Sequence, residues 1–328
     1  MSTAKSISLV LIASALVASP FVFSANRSIQ DRTVKSKSYK PGALYSSDKI
    51  VGNMRFVPPT GPQGFVQGSP AAEPGHLREA QFTHILTKKM AVMETEVTRQ
   101  MWADLKALQP SLLPDPTDIQ RGSGMDHPVQ NISWYDAILF ANLLSLQNGL
   151  SGCYYVDESF ATLVSAEGSG PVFCEFSADG YRLPTEGEWE YFTRAGTTGP
   201  FSIREPNYNS ETSYSGDASD LPKLAKVAVF NPMEMTRTWP VRSLKPNPWK
   251  LYGVHGNVWE WVWDRYDNYP KETVTDYAGP AVSSLGIEDR STRGGGWTSP
   301  GAKWVRSAAR GHGIAGYIDK GFRLVRTL

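Results

Sequence analysis

The sequence predicts a mixed α+β fold in which short helices and strands are joined by much irregular structure. Three helical segments begin at a side chain that can cap them, and short segments with alternating apolar residues flank them. The chain holds 29 glycines and 23 prolines in 328 residues, which indicates many turns and loops. Aromatic residues make up 11% of the chain and include ten tryptophans, so the core is substantial.

The N-terminus predicts a signal peptide over residues 1–25. Lys5 precedes an apolar run over residues 7–23 that only small residues interrupt. Val22 and Ser24 suit the small-residue positions before a cleavage site, which places cleavage near Ser24 or Ala25. The alternative is an uncleaved anchor helix, for which the run is short.

Residues 26–50 are polar, rich in lysine and without periodicity, which predicts a flexible leader before a folded domain over residues 51–328. The formal charge of the whole chain is +1, and loss of Lys5 with the signal peptide leaves it neutral. A neutral chain lacks the basic excess that nucleic acids or anionic membranes require. No later segment is apolar over a membrane-spanning length. We therefore expect a periplasmic or secreted protein with no integral membrane segment after cleavage.

The folded region is predicted to begin near Val51, and its first predicted strand follows a long loop. VGNMRFVP, from Val51, precedes a Gly/Pro-rich loop that runs to Gly75, and AQFTHILTKKMAV then alternates as a strand does. Thr98 can cap the helix TRQMWADLKAL, which ends before Pro110.

The second helix, SWYDAILFANLLSLQNG, is predicted to begin at Ser133 and to stop at Gly149, with Asp136 completing a start that resembles a capping box. Its apolar stripe on one face is formed by Trp134, Ile138, Ala141 and Leu144.

Thr185 and Glu188 form a capping box for the third helix, TEGEWEYFTRAG, which Gly196 ends. Beyond it, KVAVF, NVWEWVW and GFRLVRTL are short strand-like segments between long loops.

The chain has two cysteines, Cys153 and Cys174. In an exported chain such a pair is expected to form a disulfide, which would close a loop of about twenty residues and contribute roughly 3 kcal/mol. The alternative is a redox-active pair, although the spacing is far from Cys-x-x-Cys.

Several phrases in this order together resemble the formylglycine-generating enzyme (sulfatase-modifying factor) family. They are EVTRQMW (96–102), HPVQNISWYDAILFAN (127–142), GYRLPTEGEWEYFTRAG (180–196), LYGVHGNVWEWVWD (251–264), RGGGW (293–297), SAAR (307–310) and GFRLV (321–325). The resemblance covers roughly residues 51–328. It implies a single α+β domain, related to C-type lectins, with little regular structure.

The resemblance also implies a copper-dependent oxidation, but this sequence lacks the cysteines that bind the copper ion. Family members oxidise a cysteine of a client sulfatase to formylglycine with molecular oxygen and a copper ion that two cysteines hold. Ser299 stands about where the first cysteine would be, Ala302 best matches the second, and the interval is about two residues shorter. Neither residue can bind copper(I) as thiolates do. The chain is closest in character to the periplasmic pyoverdine-maturation branch, which lacks these cysteines.

A calcium site is the second feature that the resemblance implies. It would place carbonyls of Gly256 and Val258 and the carboxylate of Glu260 around the ion, because calcium prefers oxygen ligands. Gly253 stands where the family has Asn or Asp, so one side-chain ligand is missing. The alternative is that Glu260 pairs with an arginine while Asn257 closes the turn.

The groove candidates of the same region are Trp297, Ser299, Trp304 and Arg306. Arg306 can hold a carboxylate or a substrate backbone, and the tryptophans can be core residues or stacking platforms. For Arg310 we favour a structural ion pair, and Arg310 and Arg323 could pair with Glu188 or Glu190.

Five histidines occur, and His76 and His84 are expected on loop and strand surfaces. An iron site of two histidines and one carboxylate would need His255 and His312 with Glu260 or Asp264. The alternative, which we favour, is a structural role for His255.

The function that this pattern favours is an exported, divergent oxidoreductase-like enzyme without the copper–thiolate site. The alternatives are a non-catalytic module that binds a peptide or glycan and a structural component of an envelope assembly. A peptide, a siderophore-like compound or a glycan is the expected ligand.

Overall fold

The computed structural model describes residues 38–116, 121–122, 124–165, 168, 170–203, 221–231 and 236–328. One compact unit spans Tyr39–Leu328. The predicted signal peptide lies outside the described residues. Within the described ranges, every helix is too short or too polar to cross a membrane.

The described helices are α1 (Arg99–Leu108), α2 (Trp134–Gln147), α3 (Glu186–Arg194) and α4 (Leu221–Leu224), and a short 3-10 helix covers Ala302–Trp304. The first strands are β1 (Leu44–Asp48), β2 (Gly52–Val57), β3 (Phe65–Gln67), β4 (Phe82–Ile85), β5 (Met90–Met93), β6 (Tyr154–Tyr155) and β7 (Phe173–Cys174). The remaining strands are β8 (Tyr181–Arg182), β9 (Trp259–Arg265), β10 (Val274–Thr275), β11 (Arg290–Arg293), β12 (Arg310–Gly313), β13 (Lys320–Gly321) and β14 (Val325–Thr327). The predicted α+β class is confirmed.

The strands of the described part form small sheets. The largest has the order β1-β2-β5-β14-β8, and the C-terminal strand β14 lies between β5 and β8. A second sheet, β12-β11-β9-β13, carries the residues of the resembling phrases near the C-terminus. Strands β10-β4-β3 and β6-β7 complete the arrangement. The main core packs α2 against the first of these sheets.

The predicted helix starts are confirmed. Thr98, Ser133 and Thr185 are the N-caps of α1, α2 and α3, and the hydroxyl of each accepts a hydrogen bond from a first-turn backbone N–H. In α2 and α3 the carboxylates of Asp136 and Glu188 return a bond to the N-cap backbone. These starts depend on residues within one helical turn, which is why the sequence suffices to locate them.

Helix α2 differs from its prediction because it is buried on nearly all sides rather than along one stripe. Positions between the predicted apolar residues, such as Leu139, Phe140 and Asn142, are also inaccessible to solvent. The amide of Asn142 is satisfied by the backbone of Cys153, Tyr154 and Val164. A loop therefore covers the face that would otherwise meet water.

The prediction of a flexible leader as far as residue 50 is wrong for residues 39–50. Strand β1 pairs with β2 in antiparallel fashion, and the ring of Tyr39 packs on those of Tyr45 and Phe56 at 5.4 Å. Asp48 closes the connecting turn by accepting backbone N–H groups from Ile50 and Val51. Pairing with β2 supplies the order that the composition of this segment does not indicate.

Several strand predictions also change in detail. The segment AQFTHILTKKMAV forms two strands, β4 and β5, in different sheets. KVAVF contributes only an isolated bridge between Val229 and Gly256, and GFRLVRTL contains the last residue of β13 and all of β14. NVWEWVW lies within β9 as predicted, apart from its first two residues.

The predicted disulfide is not formed in the structure, where Cys153 and Cys174 are both free. Their strands are nevertheless adjacent, because Tyr154 pairs with Cys174 and the N–H of Glu175 donates to the carbonyl of Cys153. Burial raises the pKa of Cys153 to about 11 and that of Cys174 well above its ordinary value. Both side chains are therefore protonated thiols at neutral pH, which also opposes a redox-active thiolate pair.

Thiol labelling checks this correction. The native chain should react slowly with a maleimide at pH 7.5, because the raised pKa leaves little thiolate at either cysteine. Denaturation without reductant should then release two labelled thiols per chain, counted by mass spectrometry. If the unreduced, denatured chain shows no labelled thiol, the two cysteines form the disulfide that the sequence predicts.

Candidate functional site

Within the stretch from Arg293 to Arg310, a tight glycine-containing turn packs against the 3-10 helix. Gly294 and Gly295 both have positive φ, at +91° and +75°. A Cβ on Gly295 would lie 2.5 Å from the Cγ1 of Val305 and 2.6 Å from the carbonyl oxygen of Trp304. The glycine is therefore required both by its backbone conformation and by the close approach of the helix.

Ser299 is buried within this turn and does not line an open groove. Its hydroxyl accepts the N–H of Gly296 at 3.0 Å, and its own N–H donates to the carbonyl of Gly296. Ala302, the match for the second cysteine, is also buried and begins the 3-10 helix. The serine hydroxyl thus satisfies a backbone group of the turn, and the alanine packs in the core.

The two tryptophan candidates have different surroundings. Trp297 is only 7% exposed, and its indole N–H donates to the carbonyl of Ile318 at 3.3 Å. Trp304 is half-buried, with the ammonium of Lys303 5.5 Å from its ring centre. Trp304 is therefore the tryptophan that reaches the surface, and Trp297 is mainly a core residue.

Arg306 is fully buried and holds a loop of the protein rather than a ligand. Its guanidinium donates to both oxygens of Glu79 at 2.9 Å, to Glu73, and to the carbonyl of Gly75 at 3.0 Å. Such a bidentate pair fixes geometry as well as charge. Arg306 was a candidate for the groove, and the structure gives it a structural role instead, because these partners occupy its donors.

The neighbouring arginines are buried in the same way. Arg310 donates to both oxygens of Glu186 at 2.6 and 2.8 Å, and Arg293 lies between Glu186 and Glu190. The structural role favoured for Arg310 is confirmed, although its partner is Glu186 rather than the predicted residues. Glu188 forms its ion pair with Arg182, and Glu190 forms one with Arg194.

The turn before β9 does not fit the predicted calcium ion. Both oxygens of Glu260 accept from Arg323, at 2.6 and 2.7 Å, and one also accepts the indole N–H of Trp189 at 2.7 Å. A cation at this carboxylate would lie beside a guanidinium. The alternative, in which Glu260 pairs with an arginine, is therefore the one observed. Gly256 and Val258 flank Asn257, whose side-chain oxygen stabilises the turn by accepting the N–H of Trp239.

The space beside Gly253 is occupied by the carboxyl group of Glu96. A Cβ on Gly253 would lie 2.2 Å from the Oε1 of Glu96, and the φ of Gly253 is +69°. Oε1 accepts from Asn257 at 2.9 Å, whereas Oε2 is buried without a hydrogen-bond partner among the residues that the structure describes. Burial raises the pKa of Glu96 from 4.5 to about 7. Sequence reasoning missed this residue because it lies more than 150 residues before the turn that it enters.

The proposed histidine–carboxylate iron site is not assembled. His255 is buried, accepts from Ser202 through Nε2 and donates to the carbonyl of Val305 through Nδ1. Burial lowers the pKa of His255 to about 4, so the ring is neutral and structural. His312 instead pairs with Asp289 at 2.6 Å. Among the described residues, His, Cys, Asp and Glu form no cluster of three with metal-binding geometry.

The two remaining histidine predictions have opposite outcomes. His84 is buried rather than on a surface, because Gln67 binds its Nδ1 and the N–H of Tyr277 donates to its Nε2. His76 is half-buried on the loop that Arg306 holds, and its Nδ1 lies 2.9 Å from the hydroxyl of Ser69. The spacing of Ser69 and His76 matches no motif, so the sequence contained no signal for the contact between them.

This site and fold can be compared with known proteins. The family model described as a sulfatase-modifying factor enzyme 1-like domain matches residues 60–328. The chain belongs to this family.

Curated relatives share part of the chain. It is 28% identical over 213 residues to a protein named chaperone protein LppX from Paenibacillus barcinonensis, covering 62% of this chain and 68% of the relative. It is 27% identical over 186 residues to the formylglycine-generating enzyme of Bos taurus, covering 56% of this chain. The match spans only 37% of that enzyme's length.

Solved structures share the fold over most of the chain. Treponema denticola variable protein 1 has a TM-score of 0.67 at 25% identity, covering 84% of this chain and 95% of that protein. PvdO from Pseudomonas aeruginosa has a TM-score of 0.65 at 24% identity, covering 89% of this chain and all of the other. The single family domain inferred from the resemblance is therefore the observed architecture.

Replacement Glu260→Gln tests the structural role of this carboxylate. The change removes the ion-pair partner of the buried guanidinium of Arg323, so the free energy of unfolding should fall by about 3–5 kcal/mol in urea titrations. Glu288→Gln is the matched control, because Glu288 pairs with Arg265 at the surface and should change stability by less than about 1 kcal/mol. A chelator should leave the wild-type melting curve unchanged. A calcium-dependent rise in melting temperature would contradict our assignment.

Replacement Glu96→Gln tests the buried carboxyl. Between pH 4.5 and about 7 the folded chain keeps a proton on Glu96 that the unfolded chain has released, so this group lowers stability as pH rises. The loss is on the order of 3 kcal/mol at most. Glu96→Gln removes this dependence, so urea titrations at pH 5 and pH 8 should show the variant gaining stability relative to wild type at the higher pH. An equal difference at both pH values would show that Glu96 is ionised in the folded chain.

Proposed function

We propose that this protein is an exported, divergent enzyme of the sulfatase-modifying factor family, of oxidoreductase type, that does not oxidise sulfatase cysteines by the copper–thiolate route. The observation that carries the proposal is the pair Ser299 and Ala302. Both stand where copper-binding thiolates are expected, and both are buried within a packed turn. A hydroxyl that already satisfies a backbone N–H and a methyl group cannot form a soft ligand pair.

The free cysteines do not replace these ligands. Cys153 and Cys174 lie on the separate β6–β7 pair, and burial raises the pKa of both thiols. A thiolate is the form that binds metals and acts as a nucleophile. We therefore propose a substrate other than a sulfatase cysteine, and a peptide or siderophore-like compound remains the class expected from the sequence.

Export is part of the same proposal. It rests on the N-terminal pattern of one lysine followed by an apolar run and small residues. The predicted destination is the periplasm or the extracellular medium.

A non-catalytic binding module is the second candidate. A pocket of about 390 Å³ lies between β3 and the end of α3, with the rings of Phe65 and Tyr191 5.2 Å apart in its wall. This volume falls in the range of small-ligand sites. The relative named as a chaperone protein is consistent with binding, here of a peptide or glycan. For the third candidate, a component of an envelope assembly, the described part of the chain shows no comparable feature.

The proposal is tested with a peptide that contains Cys-x-Pro-x-Arg, incubated with the protein, copper and a reductant. Mass spectrometry should detect neither loss of the thiol nor gain of the aldehyde, while a formylglycine-generating enzyme converts the same peptide. Ser299→Cys combined with Ala302→Cys should not restore the reaction, because both positions are buried. Clear turnover by the unmodified protein would overturn the proposal. Saturable binding of glycans or peptides without turnover, lost on Phe65→Ala, would favour the binding module.

A further inference from the structure

The loop of residues 69–79 lies directly against the 3-10 helix of the candidate site. Gly75 has a φ of +88°, and a Cβ there would lie 2.6 Å from the Cβ of Lys303. The carbonyl of Gly75 accepts from Arg306 at 3.0 Å. His76 follows Gly75 in this loop and is half-buried.

A chain of hydrogen bonds leads from this imidazole to a buried ion pair. The Nδ1 of His76 lies 2.9 Å from the hydroxyl oxygen of Ser69, which donates to Oε2 of Glu79 at 2.7 Å. Both oxygens of Glu79 accept from Arg306. Ser69 and Arg306 are almost fully buried, and Glu79 is 2% exposed. The supporting groups are therefore fixed in place.

The proton positions follow from this chain. A carboxylate in a bidentate pair with arginine can only accept hydrogen bonds, so the hydroxyl proton of Ser69 lies towards Glu79. The hydroxyl then has only lone pairs to offer to His76. A neutral imidazole must consequently carry its proton on Nδ1, which leaves the Nε2 lone pair free.

The arrangement differs from a serine nucleophile activated by histidine. In such a triad the histidine lies between the serine and the acid, and the serine faces the substrate. Here Ser69 lies between His76 and Glu79 and is only 1% exposed. The serine therefore orients the imidazole, and His76 is the group that a ligand can reach.

We propose that His76 is a proton-accepting residue of this surface, with its Nε2 lone pair held ready by Ser69, Glu79 and Arg306. A ligand that carries a thiol, phenol or ammonium group would transfer its proton to Nε2, and the resulting imidazolium would keep its Nδ1–H bond to Ser69. At the inner end of this chain of hydrogen bonds, two carboxylates, Glu73 and Glu79, share the single guanidinium charge of Arg306. The Nε2 atom has no hydrogen-bond partner among the described residues. The assignment does not depend on the reaction proposed above.

The tautomer of His76 is tested by long-range ¹H–¹⁵N correlation spectra of the full chain labelled with ¹⁵N-histidine, at a pH where the rings are neutral. His76→Gln assigns its signals. Wild type should show the Nδ1–H form at His76, and Ser69→Ala should shift it towards the Nε2–H form that an unconstrained histidine side chain prefers. His312, which is held by Asp289 rather than by Ser69, is the internal control and should not change. An Nε2–H tautomer in wild type, or an unchanged His76 in Ser69→Ala, would overturn the proposal.

The availability of the lone pair is tested separately by carbethoxylation with diethyl pyrocarbonate, followed by peptide mass spectrometry. His76 should be modified several-fold faster than the buried His84 and His255, because the reagent attacks an accessible unprotonated nitrogen. Modification of His76 at the same slow rate as these two would overturn the assignment even if the tautomer is as expected.

Discussion

Buried arginine–carboxylate pairs around α3 join segments that are far apart in the sequence. Glu186 and Glu190 on this helix both accept from Arg293, and Glu186 also accepts from Arg310, which is 124 residues later in the chain. Glu188 binds Arg182 through two bonds of 2.7 and 2.8 Å. Removal of either member of such a pair leaves a charge in a low-dielectric interior, which costs about 3–5 kcal/mol. Helix α3 therefore fixes where β8, β11 and β12 lie.

This constraint explains why the stretch of residues 293–310 is rich in glycine and arginine and yet offers few side chains that are free to react. Its glycines allow the backbone to pass close to the 3-10 helix, and its arginines are committed to buried carboxylates. The same frame can persist when the groups that would bind copper are absent, because Ser299 and Ala302 pack within it. The fold and the family's copper chemistry are thus separable in physical terms.

His76 and Glu96 are two residues whose polar atoms this frame leaves available. Arg306 donates to Glu79, Glu79 accepts the hydroxyl of Ser69, and this hydroxyl contacts the half-buried ring of His76. Glu96 lies beside Gly253, with one carboxyl oxygen buried and unpaired. His76 is the proton-accepting residue that we propose, whereas burial of the Glu96 carboxyl makes the stability depend on pH.

The sequence by itself determined the α+β class, the family and the starts of three helices. Those starts depend on contacts within one turn, such as that between Ser133 and Asp136, so the local pattern is sufficient. It did not determine the order of residues 39–50 or the free state of the cysteines. The burial of Ser299 and the partners of Arg306 and Glu260 also became apparent only in the structure. Arg306 and Glu79 are 227 residues apart, and only the tertiary structure decides which of the many carboxylates a buried arginine meets. Because burial sets whether a side chain is free to react, the site could not be chosen from residue types and spacing alone.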